Sequence, residues 1–368
     1  MRRIEHLYIH VPFCRHKCGY CDFNAYAGME RLLPAFVDAL ARELADASRR
    51  LPFGPLRTVY LGGGTPSLLD AALATSLLDH VRKQLPVRRD AEVTLEANPA
   101  STDLERLTAW RSSGVNRLSL GVQGFDPHAL AVLERRSDGA QARRAFAEAR
   151  AAGFDNVSLD LIYAVPGQSD GAWLDTVEQA VALRPEHLSC YCLSFEEGTL
   201  LFKRRARGLL AEVAADRQWE LQQLAASVLR RAGYRRYEVS SWSLPGRRSR
   251  HNGAYWACRP FYGAGPGAHS YAIQGGRARR WWNVAHPRTY IAQSPDVVAG
   301  SEDLDPRLSR AERLLLGLRT VRGLPAPRGF ERELRRLQEA GLVRLNRRWA
   351  SPTERGLDLH NQIALTVL

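Results

Sequence analysis

The sequence predicts an α/β chain: a partial, TIM-like (β/α)6 barrel, then a smaller C-terminal α+β part with a winged-helix-like segment. Three observations predict it. From Ile4 to Leu193 short β-rich runs alternate with longer segments of helical period, the pattern of βα units around a parallel sheet. After Phe195 the alternation fails. At 368 residues and 45% hydrophobic, the chain is too long for one ordinary domain of about 100–200 residues unless it forms a barrel.

The strands follow in order: His6–Val11, Thr58–Leu61, Glu92–Ala97, Arg117–Val122, Val157–Ile162 and His187–Leu193. Between the first two, Leu33, Phe36, Val37, Leu40 and Leu44 recur at three- and four-residue steps and make one apolar helical face. Ser67 with Asp70, and Thr102 with Glu105, each match a capping box at the start of a crossover helix. A helix is expected over Ala214–Arg231, then loops and short strands over Tyr237–Trp282. Beyond Pro306, Ala311–Leu318 and Phe330–Ala340 read as helices, with Leu342–Leu345 and Trp349–Ala350 as a hairpin. The division expected is 1–195 for the barrel core, 196–306 for its extension and 307–368 for the winged-helix-like part.

No run of about 18 apolar residues occurs, and His6, His10 and Pro12 interrupt the first apolar stretch. Neither a membrane span nor a signal peptide fits, so a cytoplasmic protein is expected. The net charge of +13 is carried by arginine, since Lys17, Lys83 and Lys203 are the only lysines. Such a surface attracts the carboxylates of a small molecule, or an anionic membrane surface as a peripheral site. It lacks the interleaved aromatics of an RNA platform, so no specific nucleic acid is expected.

Three of the six cysteines fall within eight residues, in Cys14-Arg-His-Lys-Cys18-Gly-Tyr-Cys21. In a reducing compartment this reads as metal binding. Three thiolates around a [4Fe-4S] cube leave one iron without a protein ligand, and a small molecule can chelate it there. The competing reading is a structural zinc with His10 or His16 as fourth ligand, but zinc favours paired C-x2-C knuckles. Cys190, Cys192 and Cys258 read as packing residues.

Gly62-Gly63-Gly64-Thr65-Pro66-Ser67 follows the second strand directly, and glycines there let backbone approach a ligand. It lacks the Lys of a P-loop and the G-x-G-x-x-G spacing of a dinucleotide fold. Glu96, Gln123 and Asp160 stand at further strand ends where an apolar strand would simply stop, and form a polar ring at one mouth.

With LYIHVPFCRHKCGYCDF at its start, the chain resembles the oxygen-independent coproporphyrinogen oxidase family of the radical S-adenosylmethionine (SAM) superfamily. The resemblance covers nearly the whole chain. It implies a [4Fe-4S] cluster on Cys14, Cys18 and Cys21, with SAM chelating the open iron, and Tyr20 beside the cluster. It assigns Tyr8, Gly63 and Glu96 to that SAM, and Gly64, Thr65, Gln123, Arg135 and Asp160 to a second SAM. The family usually has His two residues after that arginine, and here Ser137 stands in its place.

Two features separate the chain from the true oxidases. Phe23 stands where they have a fourth cysteine, and Cys14 lies almost at the start, where they carry an extension. His251-Asn252-Gly253-Ala254-Tyr255-Trp256 is similar to the H-N-x-x-Y-W motif of the family's heme-chaperone branch. That branch implies binding of heme and its transfer to acceptor hemoproteins. His251 is then the expected heme ligand, with His269 ranked second; Tyr255 or Trp256 stack on the porphyrin and Arg247, Arg248 and Arg250 meet its propionates. The other reading of the motif is a loop held by His251 and Asn252, with Tyr255 and Trp256 filling core. The enzyme alternatives are a class C radical SAM methyltransferase and a coproporphyrinogen oxidase-like decarboxylase; a nucleic-acid-binding regulator is the third.

Overall fold

A strand turns alternate residues to opposite faces, and in this chain the two faces differ in chemistry. The computed structural model describes residues 1–368. In it β1 (Ile4–Val11), β2 (Phe53–Gly63), β3 (Val87–Ala97), β4 (Arg117–Gln123), β5 (Val157–Tyr163) and β6 (His187–Cys192) pair in parallel, in that order. Leu7, Ile9, Leu61, Leu95, Leu118, Leu120, Leu159 and Leu188 belong to one face and to the main apolar core. The other face is polar. Its rows read His6–Thr58–Glu92, then Tyr8–Tyr60–Thr94–Arg117, then Gly121–Asp160–Ser189 across the sheet register.

The outer face is covered by α1 (Leu33–Arg50), α2 (Ala71–Gln84), α3 (Leu104–Ser112), α4 (Gly139–Ala151) and α5 (Asp170–Ala182), with a further short helix over Pro127–Val132 ahead of α4. α1 buries Leu33, Phe36, Val37, Leu40 and Leu44 as the period predicts. The capping boxes are corrected. α2 is capped by Asp70, which accepts from Leu73 N, and α3 by Asp103, which accepts from Arg106 N. Ser67 instead accepts from Asn98 N and meets Ser101, and Thr102 donates to the Pro99 carbonyl, so both hydroxyls secure loops at the barrel mouth.

After β6 come α6 (Ala215–Arg231), β7 (Arg235–Arg236), β8 (Ser241–Ser243) and α7 (Arg250–Trp256). A further strand, β9 (Tyr262–Ala264), lies parallel to β1 at the opposite edge, so the sheet has nine strands in the order β9-β1-β2-β3-β4-β5-β6-β8-β7. Three residues carry too little period to announce a strand, which is why the sequence reading stops at six. β9 is tied down by buried Glu43 of α1, which accepts from Tyr262 Oη, Gly265 N, Asn283 Nδ2 and Tyr290 Oη.

A three-stranded antiparallel sheet follows: β10 (His269–Gln274), β11 (Arg277–Asn283) and β12 (Val298–Asp303). The C-terminal part comprises α8 (Pro306–Leu318), β13 (Leu324–Pro325), α9 (Glu331–Glu339), β14 (Val343–Asn346) and β15 (Trp349–Pro352), followed by two short helices. It packs around its own apolar cluster of Leu314, Leu318, Phe330, Leu334 and Leu337. No helix is long and apolar enough to cross a membrane.

Candidate functional site

The cysteine loop leaves the C-terminal end of β1 and packs on the triple-glycine turn after β2. Gly64 N donates to Val11 O and Thr65 N to Phe13 O, at 2.9 and 2.8 Å. A Cβ on Gly64 would sit 2.7 Å from the Phe13 carbonyl, and Gly63, at φ +108°, has no room for one beside the His10 ring. These two glycines are therefore required by close approach of the chain to itself. The sequence reading had assigned that approach to a ligand.

All three loop thiols are free. Thr65 Oγ1 donates to Cys14 Sγ at 3.2 Å, and the Arg135 guanidinium to Cys18 Sγ at 3.8 Å. Burial pushes the Cys14 thiol up and the Cys21 thiol up to about 11, and neighbouring cysteines raise both further while Lys17 opposes them. Three thiols thus share one electrostatic neighbourhood with donors already aimed at two of the sulfurs, a donor set that fits an iron–sulfur cluster. They do not converge as a single-ion site does. His10 is spoken for: its Nε2–H donates to Asn24 O and its Nδ1 accepts from Tyr8 Oη, both at 2.9 Å. Tyr8 thus turns its hydroxyl to His10, and Tyr20 packs against an apolar patch with Leu133, Ile162 and Phe195.

Glu96 is the most perturbed acid of the mouth. It accepts from Tyr60 Oη at 2.7 Å and from Gly63 N at 3.1 Å. Burial, with the Asp160 charge adding to it, pushes its carboxyl up to about 7 against those hydrogen bonds. Asp160 accepts from Ser119 Oγ at 2.9 Å, and burial raises it too. Gln123 adopts φ +68°. Arg135 donates to the Gly121 carbonyl, and a Cβ on Gly121 would meet Gln123 Nε2 at 3.0 Å and Arg135 Nη2 at 3.1 Å. Gly63, Gly64, Thr65, Glu96, Gln123, Arg135 and Asp160 therefore gather at one end of the barrel with the cysteines.

His251 is not among them. It lies at the N-terminal ends of the strands, where α7 closes the barrel floor. Thr58, its partner, precedes Gly63 by five residues, roughly 16 Å of strand. Glu92 receives Arg250 N on both oxygens (3.0 and 2.9 Å) and His251 N at 2.9 Å. The ring is 1% exposed. Its Nδ1 bonds Thr58 Oγ1 at 2.7 Å, its Nε2 bonds Tyr255 Oη at 2.9 Å, and its face stacks on Tyr60 at 4.9 Å. Burial, helped by nearby His6 and Arg117, lowers its pKa to about 3. In this arrangement both ring nitrogens are taken by protein partners. His269 is exposed and stacks on Trp282.

The sequence reading missed Arg117, Glu92 and Asn24. Arg117 is 2% exposed and has no carboxylate within 4.0 Å, although its charge is felt by Glu96, Asp160 and His251. Period two within β4 puts Arg117 on the face of Ser119, which pairs with Glu96 across a register that only the structure supplies. Asn24 clamps the end of the cysteine loop to the carbonyls of Pro266 and Ala285, both at 3.0 Å.

Comparison with known proteins gives three kinds of match. The family model of the radical SAM superfamily matches residues 8–180. The chain is 43% identical over 328 residues to the heme chaperone HemW of Mycobacterium tuberculosis, covering 88% of this chain and 83% of that protein. It is 38% identical over 312 residues to HemW of Escherichia coli (83% and 81%), and 34% identical to the mitochondrial radical S-adenosyl methionine domain-containing protein 1 of Bos taurus (98% and 87%). The solved coproporphyrinogen III oxidase HemN of Escherichia coli superposes with a TM-score of 0.84 at 21% identity, over 99% of this chain and 90% of that one. That likeness is one of fold.

Proposed function

Since the chain belongs to the HemW family of heme chaperones within the radical SAM superfamily, we propose that it binds heme and passes it to acceptor hemoproteins, with a [4Fe-4S] cluster and SAM at the barrel mouth governing the transfer. The observation that carries the cluster is the set of three free thiols in one loop, two of them facing donors from Thr65 and Arg135. When bound, such a cluster supplies an open iron and an electron.

The chain's own residues do the rest. Cys14, Cys18 and Cys21 would hold the cluster through their thiolates. Arg135 and Lys17 offset the charge of the thiolates. Glu96, held by Tyr60 and Gly63, would offer its carboxylate to the amino group of SAM, and Gln123, Arg135 and Asp160 would form the wall on which a second SAM lies. Phe23, 58% exposed, supplies no further sulfur, so decarboxylation of coproporphyrinogen III is not expected.

Anaerobic reconstitution tests the reading. It should give one cluster per chain, with an EPR spectrum that changes on adding SAM. Cys14→Ala, Cys18→Ala and Cys21→Ala should each lose the cluster, while Cys258→Ala keeps it. Hemin should bind with a defined Soret band. Stoichiometric zinc without iron–sulfur absorption, or steady production of protoporphyrinogen, would overturn it.

A further inference from the structure

The H-N-x-x-Y-W helix has two faces. His251 and Tyr255, four residues apart, turn in to the barrel floor. Gly253, Trp256 and the following Cys258 line a cavity of about 540 Å³ behind it, a size within the roughly 300–1,000 Å³ of small-molecule sites. α8, the edge of the β10–β11 hairpin and Trp349 of the C-terminal part complete its walls.

The lining contains no aspartate or glutamate. It does contain Arg248, Arg259, Arg277, Arg310, Arg313 and Arg322, with Arg2 at its edge. None of these seven has a carboxylate within 4.0 Å, whereas Arg280 and Arg319 nearby are paired with Glu312 and Glu238. Gathering like charges without counter-charge opposes folding, so the cluster calls for an anion. The walls between the guanidiniums are aromatic: Trp256, Trp349, Tyr237 and Tyr271. Trp256 adds a buried indole N–H with no acceptor.

We propose that this cavity is the heme site: Trp349, Tyr271 and Trp256, one face of which is covered by the Arg319 guanidinium, would bound the macrocycle, and guanidiniums of α8 and of the segment after α7 would hold its propionates. The proposal rests on the heme reading above and assigns its location. Planar guanidinium forks match carboxylates in two-point contact, and stacked rings accept a flat apolar macrocycle. His251, on the other face of the same helix, shapes the cavity wall from behind.

The test uses the reconstituted full chain. Arg310→Gln/Arg313→Gln should weaken hemin binding about tenfold or more, by loss of charge-assisted contacts. A control of equal charge, Arg332→Gln/Arg344→Gln, should leave it unchanged. Iron mesoporphyrin dimethyl ester, which lacks free propionates, should bind the parent about tenfold less tightly and should not distinguish parent from variant. The α8 variant should unfold at no lower temperature than the parent, because like charges have been removed. Equal hemin affinity in variant and control, an ester that binds as tightly as hemin, or displacement of hemin by tripolyphosphate would overturn the site. A parent chain that takes up no hemin would overturn the heme reading as well.

Discussion

The floor and the mouth of the barrel are built from the same kinds of side chain and differ in how completely those side chains are satisfied. At the floor, Thr58 links His6 and His251, Tyr255 closes on the far nitrogen of His251, and Glu92 takes both leading N–H groups of α7. Towards the mouth, Arg135 Nε, Ser137 Oγ and both ends of the Gln168 amide are buried without a protein partner, as are Thr94 Oγ1 and Arg117 Nε deeper in the barrel. A buried polar group without a partner costs free energy, so the mouth is arranged for something the chain does not itself supply. The floor is arranged for stability. Residue type does not separate the two; the closed set of bonds around His251 does, although Arg117 Nε and Trp256 Nε1 on that side also lack a partner.

The largest effect that would test this difference is on stability. Glu92→Ala removes the acceptor for two buried backbone N–H groups and detaches α7 from the floor. We expect a loss of about 3–5 kcal/mol, read by denaturant unfolding, with Glu92→Gln restoring part of it through its remaining carbonyl. A loss below about 1 kcal/mol would mean that the floor is no more structural than an ordinary surface network.

Much of this architecture was legible in the sequence because barrel strands announce themselves by period, and all six were found, although β2 and β3 each begin five residues before the expected start. The cysteine loop was legible because its spacing is contiguous. What stayed hidden depends on register. The inward turn of Arg117 and Glu92, and the burial of His251 between Thr58 and Tyr255, require knowing which residues face each other across strands far apart in the chain. The motif around His251 stands out in the sequence, but its periodicity of four, which sends His251 and Tyr255 one way and Trp256 another, was not drawn from it. The arginine-lined cavity joins segments from Arg2 to Trp349, and no local pattern reports such a convergence.

The second test is one of pH, because the two ends titrate in opposite directions. Glu96 has its folded-state pKa raised from 4.5 to about 7. Between those values the folded chain keeps a proton that the unfolded chain has released, so stability falls as pH rises through that window, by up to about 3 kcal/mol. His251 and His6 are lowered from 6.5 to about 3 and about 4. The unfolded chain takes up those protons first, so their contribution is complete above pH 6.5 and is lost as pH falls, about 2 kcal/mol from each by pH 5. Measured without added SAM between pH 5 and 7, Tm should rise with pH in the parent, because His10 and His187 are lowered too and the histidines together outweigh Glu96. It should rise more steeply in Glu96→Gln. The same slope in both proteins would remove Glu96 as the opposing group.

A third test concerns binding at the mouth alone. Accepting a hydrogen bond from the amino group of SAM requires the Glu96 carboxylate, so Glu96 should release its proton on binding and affinity should tighten as pH rises towards about 7. Glu96→Gln should weaken SAM about tenfold or more and abolish that pH dependence, with the cluster retained. Calorimetry in two buffers of different ionisation enthalpy reads the proton directly. Unchanged affinity would leave Glu96 as a partner of Tyr60 only.

The smallest effect isolates one hydrogen bond. Thr65 Oγ1 donates to Cys14 Sγ at 3.2 Å, and a donor on a ligating sulfur stabilises the more negative, reduced form of a cluster. Thr65→Val keeps the shape of the side chain and removes the donor, so the reduction potential of the reconstituted cluster should fall while stability changes by less than about 1 kcal/mol. Thr65→Ser should restore the potential, which a packing role for the Thr65 methyl group would not predict. Potentiometric titration followed by EPR separates the two. Equal potentials in parent, Val and Ser proteins would show that the hydroxyl turns away from Cys14 once iron is bound, and that Thr65 belongs with the structural groups of the glycine turn.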